Sequence, residues 1–298
     1  MSWQASVLTR ALRMIEKPAL ARAADPVDVR ASFERKARLL FHAPRGTTRH
    51  ALDFGGLEVS GPWALPERCI IFFHGGAYMF GSPNTHFAMA GQMSKRTKAK
   101  VVLPKYPLAP EDPFPASIHA ARSAYDTLTQ ANPNAILGGD SAGGGLAFSV
   151  LATLLQDNAP LPKGVFAFSP LTDLTFSAKS LTENAEQEAI LPVSRVKEMA
   201  DLYLGDADPR DPRASPVFAH FAGAPPVWLT VDDTEILRDD CVRLRDLMVE
   251  HGVPVTLEVT SGLPHDWPIF HNVLPEARTT LDQLAGWAKA LWSETAES

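Results

Sequence analysis

Six residues, Gly139-Asp140-Ser141-Ala142-Gly143-Gly144, constrain this chain more than any others. They fit G-x-S-x-G, in which a serine sits on a sharp strand-to-helix turn. The residues two before and two after it must be small to avoid a clash. The flanks agree with that geometry. Ala135-Ile136-Leu137 reads as a short buried strand entering the turn, and Gly144 to Leu155 as an apolar helix leaving it. Such a helix aims its free N–H groups and the positive end of its dipole at the serine.

The rest of the chain repeats the alternation. Cys69-Ile70-Ile71-Phe72-Phe73 is an uninterrupted apolar run, the mark of a strand buried on both faces. Further strands are predicted at Val101 to Leu103, Gly164 to Phe168, Val227 to Val231 and Val255 to Val259, with two short ones at Ala51 to Phe54 and Leu57 to Val59. Helices are predicted at Pro115 to Leu128, Leu237 to His251 and Pro275 to Leu291. Strands alternating with helices imply a mostly parallel sheet covered on both sides. Two segments stand outside the pattern. Ser2 to Leu40 reads as helical, with Pro18 ending the first helix. Leu171 to Arg213 holds one convincing helix, near Ser194 to Leu204, and no strand. Together they are expected to form a lid over the carboxyl ends of the strands.

Composition narrows the function classes. The 298 residues carry a net charge of −6, which argues against a nucleic-acid partner. Two widely spaced cysteines, Cys69 and Cys241, form no disulfide framework. No run reaches the ~18 apolar residues of a membrane span. The N-terminal region scatters Arg10, Arg13 and Lys17 through its apolar residues, unlike a signal peptide. The expectation is a cytoplasmic protein without stable membrane insertion. Its partner is a small molecule, and a homodimer stays open.

Three more constellations carry chemistry. His74-Gly75-Gly76-Ala77 follows the central strand, where adjacent glycines can turn backbone N–H groups toward a developing oxyanion. Gly75, Gly76, Ala77 and Ala142 are the candidate oxyanion residues. His265 stands in a Gly/Pro loop after the last predicted strand, with His271 as its rival. Asp232-Asp233-Thr234-Glu235 follows the strand ending at Val231, so the chain order is serine, acid, histidine. Asp239 and Asp240 lie in the next helix's first turn and suit a dipole role.

The set resembles the hormone-sensitive-lipase-like carboxylesterases, a bacterial group of the α/β-hydrolase fold. The matching pieces run from His74-Gly75-Gly76-Ala77 through Tyr106-Pro107-Leu108-Ala109-Pro110-Glu111 and Phe114-Pro115-Ala116 to Gly139–Gly144. Ser169-Pro170-Leu171-Thr172-Asp173, Asp211-Pro212, Ser215-Pro216, Glu235-Ile236-Leu237-Arg238-Asp239 and His265 complete them. The resemblance implies an eight-stranded core over 46–173 and 211–298, with a helical cap from 1–45 and 174–210. It also implies hydrolysis of short- to medium-chain carboxylic esters through Ser141, His265 and Glu235, with no cofactor and no metal. Glu235 is favoured over Asp232 and Asp233 by its place four residues before Asp239. Two rival functions share the scaffold: a non-catalytic small-molecule receptor, which in this family loses the histidine retained here, and an amidase or peptidase. Three departures stand out. Ala77 replaces a third glycine, Glu235 stands where aspartate is more frequent, and Pro107 replaces an arginine, which leaves Glu111 without its expected partner.

Overall fold

The computed structural model describes residues 1–23 and 25–293; residue 24, assigned from sequence to the cap, and 294–298, assigned to the core, lie outside the described residues. The N-terminal segment forms α1 (Trp3–Ala11), α2 (Lys17–Arg22) and α3 (Pro26–Leu40). Pro18 does not end the first helix. Leu12–Glu16 widen into a π turn, with Lys17 N–H donating to Leu12 O, and the chain runs on helically to Arg22. A π turn just before a proline relieves the clash and lost hydrogen bond that a proline causes inside a regular helix.

The apolar runs become an eight-stranded sheet: β1 (Thr48–Ala51), β2 (Gly56–Ser60), β3 (Leu65–Phe73), β4 (Ala99–Pro104), β5 (Ile136–Asp140), β6 (Val165–Phe168), β7 (Val227–Asp232) and β8 (Val255–Thr260). Its order is β1-β2-β4-β3-β5-β6-β7-β8. The sheet is mixed. β2 runs antiparallel to β1 and β4, and the six strands β3 to β8 pair with one another in parallel. β1 begins three residues earlier than its predicted start at Ala51 and β3 four earlier than Cys69, because their polar ends pair at the sheet's margin where burial leaves no apolar signature.

Helices cover both faces. They are α4 (Pro83–Thr97), α5 (Ala116–Ala131), α6 (Ser141–Gln156), α9 (Arg238–Glu250) and α10 (Pro275–Ser293), with two short helices, α7 (Ser180–Glu183) and α8 (Val196–Leu204), between β6 and β7. α4 escapes the sequence reading, yet it starts on a capping box. The Ser82 side chain accepts from Asn84 and Thr85 N–H, the Thr85 hydroxyl bonds back to Ser82 N–H, and Pro83 takes the first turn. The two faces bury separate apolar clusters. One includes Phe73, Leu146, Phe148 and Leu229; the other Ile70, Phe72, Phe166 and Trp228. Strands alternating their side chains across a doubly covered sheet produce this split. The carboxyl ends of β3, β5, β7 and β8 therefore reach one edge together.

Candidate active site

Ser141 opens α6 directly after β5, with φ of +50°. A left-handed serine is strained and persists only where the surroundings over-determine it. Here Gly143 supplies the constraint. A side chain there would run into the backbone carbonyls of Phe73 and His74 at the end of β3. The elbow thus fits against the neighbouring strand, and the hydroxyl is held at the edge of the sheet.

His265 comes from the loop after β8. Its Nε2 lies 3.0 Å from Ser141 Oγ and its Nδ1 lies 2.5 Å from Glu235 Oε2. Glu235 comes from the turn after β7. Its other oxygen, Oε1, accepts from Ser169 Oγ at 2.7 Å and Asp232 N–H at 2.8 Å. All three are buried: Ser141 is 8% exposed, His265 5% and Glu235 1%. Burial pulls the His265 pKa down, but the facing Glu235 carboxylate, with Glu188 and Asp140 behind it, more than offsets this and raises it above 6.5.

The other acids of that turn do different work. Asp232 ties the histidine loop to β7. Its Oδ1 accepts from Gly262 N–H at 3.0 Å, and its Oδ2 from Leu263 N–H and Thr260 Oγ1 at 2.8 Å each. Asp233 donates its backbone N–H to Thr260 O at 3.0 Å. His271 lies away from the serine, against His42 O, and burial lowers it to about 4.

The loop after β3 supplies backbone donors. Gly75 N–H is already committed, donating to Asp140 Oδ1 at 2.9 Å. Gly75 therefore anchors the loop and offers no donor to a substrate. Among the described residues the N–H groups of Gly76, Ala77 and Ala142 have no protein acceptor. Ala77 adopts φ of +54° without being glycine. Next to it Tyr78 stacks on Tyr203 of α8, ring centres 4.0 Å apart, which braces the loop from outside the sheet.

Two cavities meet at the serine, and Ala77 lines both. The larger, of about 310 Å³, is bounded by α2 and α3 residues such as Leu20, Val29 and Phe33, and by His265. The smaller, of about 110 Å³, is bounded by Leu171, Phe176, Val196 and Met199 and does not reach His265.

Several residues of the site carried no signal in sequence. Glu188, between α7 and α8, is 1% exposed; it accepts from Ile190 N–H at 2.8 Å and Ile236 N–H at 3.2 Å, and burial raises its pKa. Ser169 opens the stretch Ser169–Asp173, in which nothing local points to its bond with Glu235. Glu111 is not without a partner: Arg30 of α3 grips it bidentately at 2.6 and 2.7 Å and also donates to Met79 O and Ala109 O. The guanidinium holds the Glu111 carboxyl at about 2.

A mixed, helix-covered sheet with a serine elbow, a histidine loop and free backbone N–H groups at one edge defines an enzyme of the α/β-hydrolase fold. The family model described as alpha/beta hydrolase fold matches residues 70–269. An acetyl-hydrolase of Streptomyces hygroscopicus is 34% identical over 239 residues, 78% of this chain and 80% of that one. An esterase of Acinetobacter venetianus is 35% identical over 232 residues, 76% of this chain and 77% of the other. Among solved structures, an esterase from the bacterial hormone-sensitive lipase family superposes with a TM-score of 0.92 at 30% identity, covering 98% of this chain and 99% of that one. EstE5, soaked with p-nitrophenyl butyrate, gives 0.93 at 30% identity, covering 98% and 100%. The chain belongs to the α/β-hydrolase family, in its hormone-sensitive-lipase-like branch, and is an ester hydrolase. Among the described residues no helix is long and apolar enough to cross a membrane.

Proposed function

We propose that this ester hydrolase is a serine carboxylesterase acting through Ser141, His265 and Glu235 on esters of short acyl chains. The observation that carries the reading is the continuous hydrogen-bonded line Ser141–His265–Glu235, with three uncommitted backbone N–H groups beside it. His265 Nε2 takes the hydroxyl proton as Ser141 Oγ attacks the ester carbonyl. The N–H groups of Gly76, Ala77 and Ala142 receive the charge that develops on the carbonyl oxygen. His265 then returns the proton to the leaving alkoxide, which departs as the alcohol and leaves the acyl-enzyme. Water repeats the sequence and releases the acid. Glu235 fixes the ring's tautomer and stabilises the imidazolium.

The cavities support a division of the substrate. The leaving oxygen must sit within reach of His265, so the alcohol portion belongs in the larger cavity, which His265 lines. The acyl chain then enters the smaller one, of about 110 Å³. The N-terminal helices and the segment 174–210 wall both, and we read them as one cap. The test is a p-nitrophenyl ester series from acetate to palmitate, run beside Ser141→Ala. kcat/KM should peak at the short esters and fall by about tenfold or more at palmitate, and Ser141→Ala should lose several decades of kcat. A palmitate optimum would remove the small acyl pocket; an active Ser141→Ala enzyme would remove the serine mechanism.

A further inference from the structure

Asp140 precedes Ser141 and Asp266 follows His265, and the fold brings their two side chains together beneath the site. His86 of α4 joins them. The three are 1%, 8% and 1% exposed in the order Asp140, Asp266, His86, and their polar atoms lie within 4.8 Å of one another. Asp140 Oδ1 accepts from Gly75 N–H at 2.9 Å, and Oδ2 faces His86 Nε2 at 3.1 Å. The Asp266 carboxyl completes the knot, with an oxygen within 4.8 Å of both the Asp140 carboxylate and the His86 ring nitrogen. Two buried carboxyls this close cannot both be ionised without severe repulsion, so the pair holds one proton. Asp140 collects donors from two other elements, whereas Asp266 Oδ1 has no hydrogen-bond partner among the described residues. The proton therefore sits on Asp266.

We infer that protonated Asp266 donates to the Asp140 carboxylate, and that this shared proton positions the oxyanion loop through the hydrogen bond from Gly75 to Asp140. Both aspartates are positioning residues; the inference rests on the reading of Ser141 and His265 as the reacting pair. The loop after β3, the elbow after β5 and the histidine loop after β8 all meet at this one carboxylate. The approach is close: a side chain on Gly75 would collide with the Asp140 carboxyl. Ionising Asp266 would place a second anion against Asp140, displace the carboxylate from Gly75, and carry Gly76 and Ala77 out of line. Burial and then Asp140 itself hold the Asp266 proton on, with Glu235 adding to them. On Asp140 burial acts upward, but His86, the bond to Asp266 and His74 outweigh it and keep this carboxyl low. His265, next in sequence, adds its charge only when protonated. The consequence is an alkaline limit on activity set by Asp266.

The test compares pH profiles of kcat and KM on p-nitrophenyl acetate for wild type, Asp266→Ala and Asp266→Asn. Labelling of Ser141 by a fluorophosphonate is run in parallel. Asp266→Ala should lose about 10–10² in kcat with KM changed by less than about threefold, the signature of misplaced donors and not of lost binding. Asp266→Asn, whose amide can still donate to Asp140, should recover to within about tenfold of wild type and lack the alkaline decline. The infrared difference spectrum, wild type minus Asp266→Asn, should show at neutral pH a buried protonated-carboxyl C=O band that vanishes on alkalinisation; the other carboxyls raised by burial, Asp240 and Glu188, cancel in the difference. An alkaline limb identical in wild type and Asp266→Asn overturns the inference. So does a difference spectrum without that band; should Asp266→Asn fail to fold, the band is sought in Asp240→Asn/Glu188→Gln, where its absence overturns the inference as well. Failure of wild-type Ser141 to label would instead strike the serine mechanism itself.

Discussion

Both oxygens of Glu235 are committed, one to His265 and the other to Ser169 and Asp232 N–H. An amide cannot serve both ends. In Glu235→Gln, the end that accepts from Ser169 and Asp232 must stay an oxygen, which turns the NH₂ toward His265 Nδ1. The ring is then driven to the tautomer with its proton facing the serine, and kcat should fall by about 10²–10⁴ at nearly constant KM. Asp232→Asn should behave differently. Its carboxylate accepts on both oxygens from the loop that carries His265, so an NH₂ at either end leaves a donor unpaired at about 1–3 kcal/mol. That variant should melt at a lower temperature and keep most of its activity per folded molecule. Steady-state kinetics beside thermal melts separates the two, and a crippled but stable Asp232→Asn would move the role to that aspartate. The raised pKa of His265 gives a pH prediction. The free enzyme needs a neutral imidazole, so kcat/KM should fall as pH drops through a value above 6.5. Its contribution to stability has the opposite sense, full below 6.5 and lost as pH rises through the folded value. A kcat/KM that stays flat down to pH 5 would contradict a histidine base.

At the scale of elements, what could be read in sequence was what is local. Ser141 announces itself because turn, strand and helix lie within twenty residues of one another, and His265 because its loop directly follows a strand. The π turn at Leu12–Glu16 is invisible, since the same residues would suit a regular helix until Pro18 forces the ladder to widen. The Arg30–Glu111 clasp spans 81 positions, and nothing near Pro107 points to α3. Likewise the knot of Asp140 and Asp266 joins residues that only the folded sheet makes neighbours. The clasp makes α3 a clamp on the loops after β3 and β4. Arg30→Ala should cost about 1–2 kcal/mol, mostly through the Met79 and Ala109 carbonyls, because Glu111 is half exposed and its ion pair is screened. For a chain of this size that lowers Tm by a few degrees. Because α3 also walls the larger cavity, KM for esters of bulky alcohols should rise more than for ethyl esters. Equal KM changes for both alcohol classes would show that α3 stays seated without Arg30.

Across the whole molecule, burial puts carboxyls in two opposed classes. Asp173 is desolvated, yet Thr175 and Arg243, the latter at 2.5 Å, outweigh that and keep its pKa low. Asp240, buried beside it at the start of α9, is pushed up to about 8 by desolvation and by Asp173. The consequences for stability run in opposite directions. Asp173 stabilises the fold above the unfolded carboxylate value and loses that contribution in acid. Asp240 binds its proton more tightly in the folded state, so the unfolded chain holds fewer protons between about pH 4 and pH 8, and stability falls as pH rises through that window. The net charge of −6 gives no hint of this, because it counts Asp240 as an ordinary anion. Asp240→Asn isolates the effect. The amide oxygen can still accept from Thr172 and Asp173 N–H, as the carboxyl does at 3.3 and 3.2 Å, while the charge is gone. Melting curves of wild type and variant should lie close together at about pH 4 and separate progressively toward pH 8, with the variant the more stable. Above that window the gap should stop growing, since Asp240 is then ionised in both folded and unfolded wild type. A gap that stays constant from pH 5 to pH 9 would mean that Asp240 is charged throughout, and the pairing of opposed carboxyls at the foot of α9 would have to be abandoned.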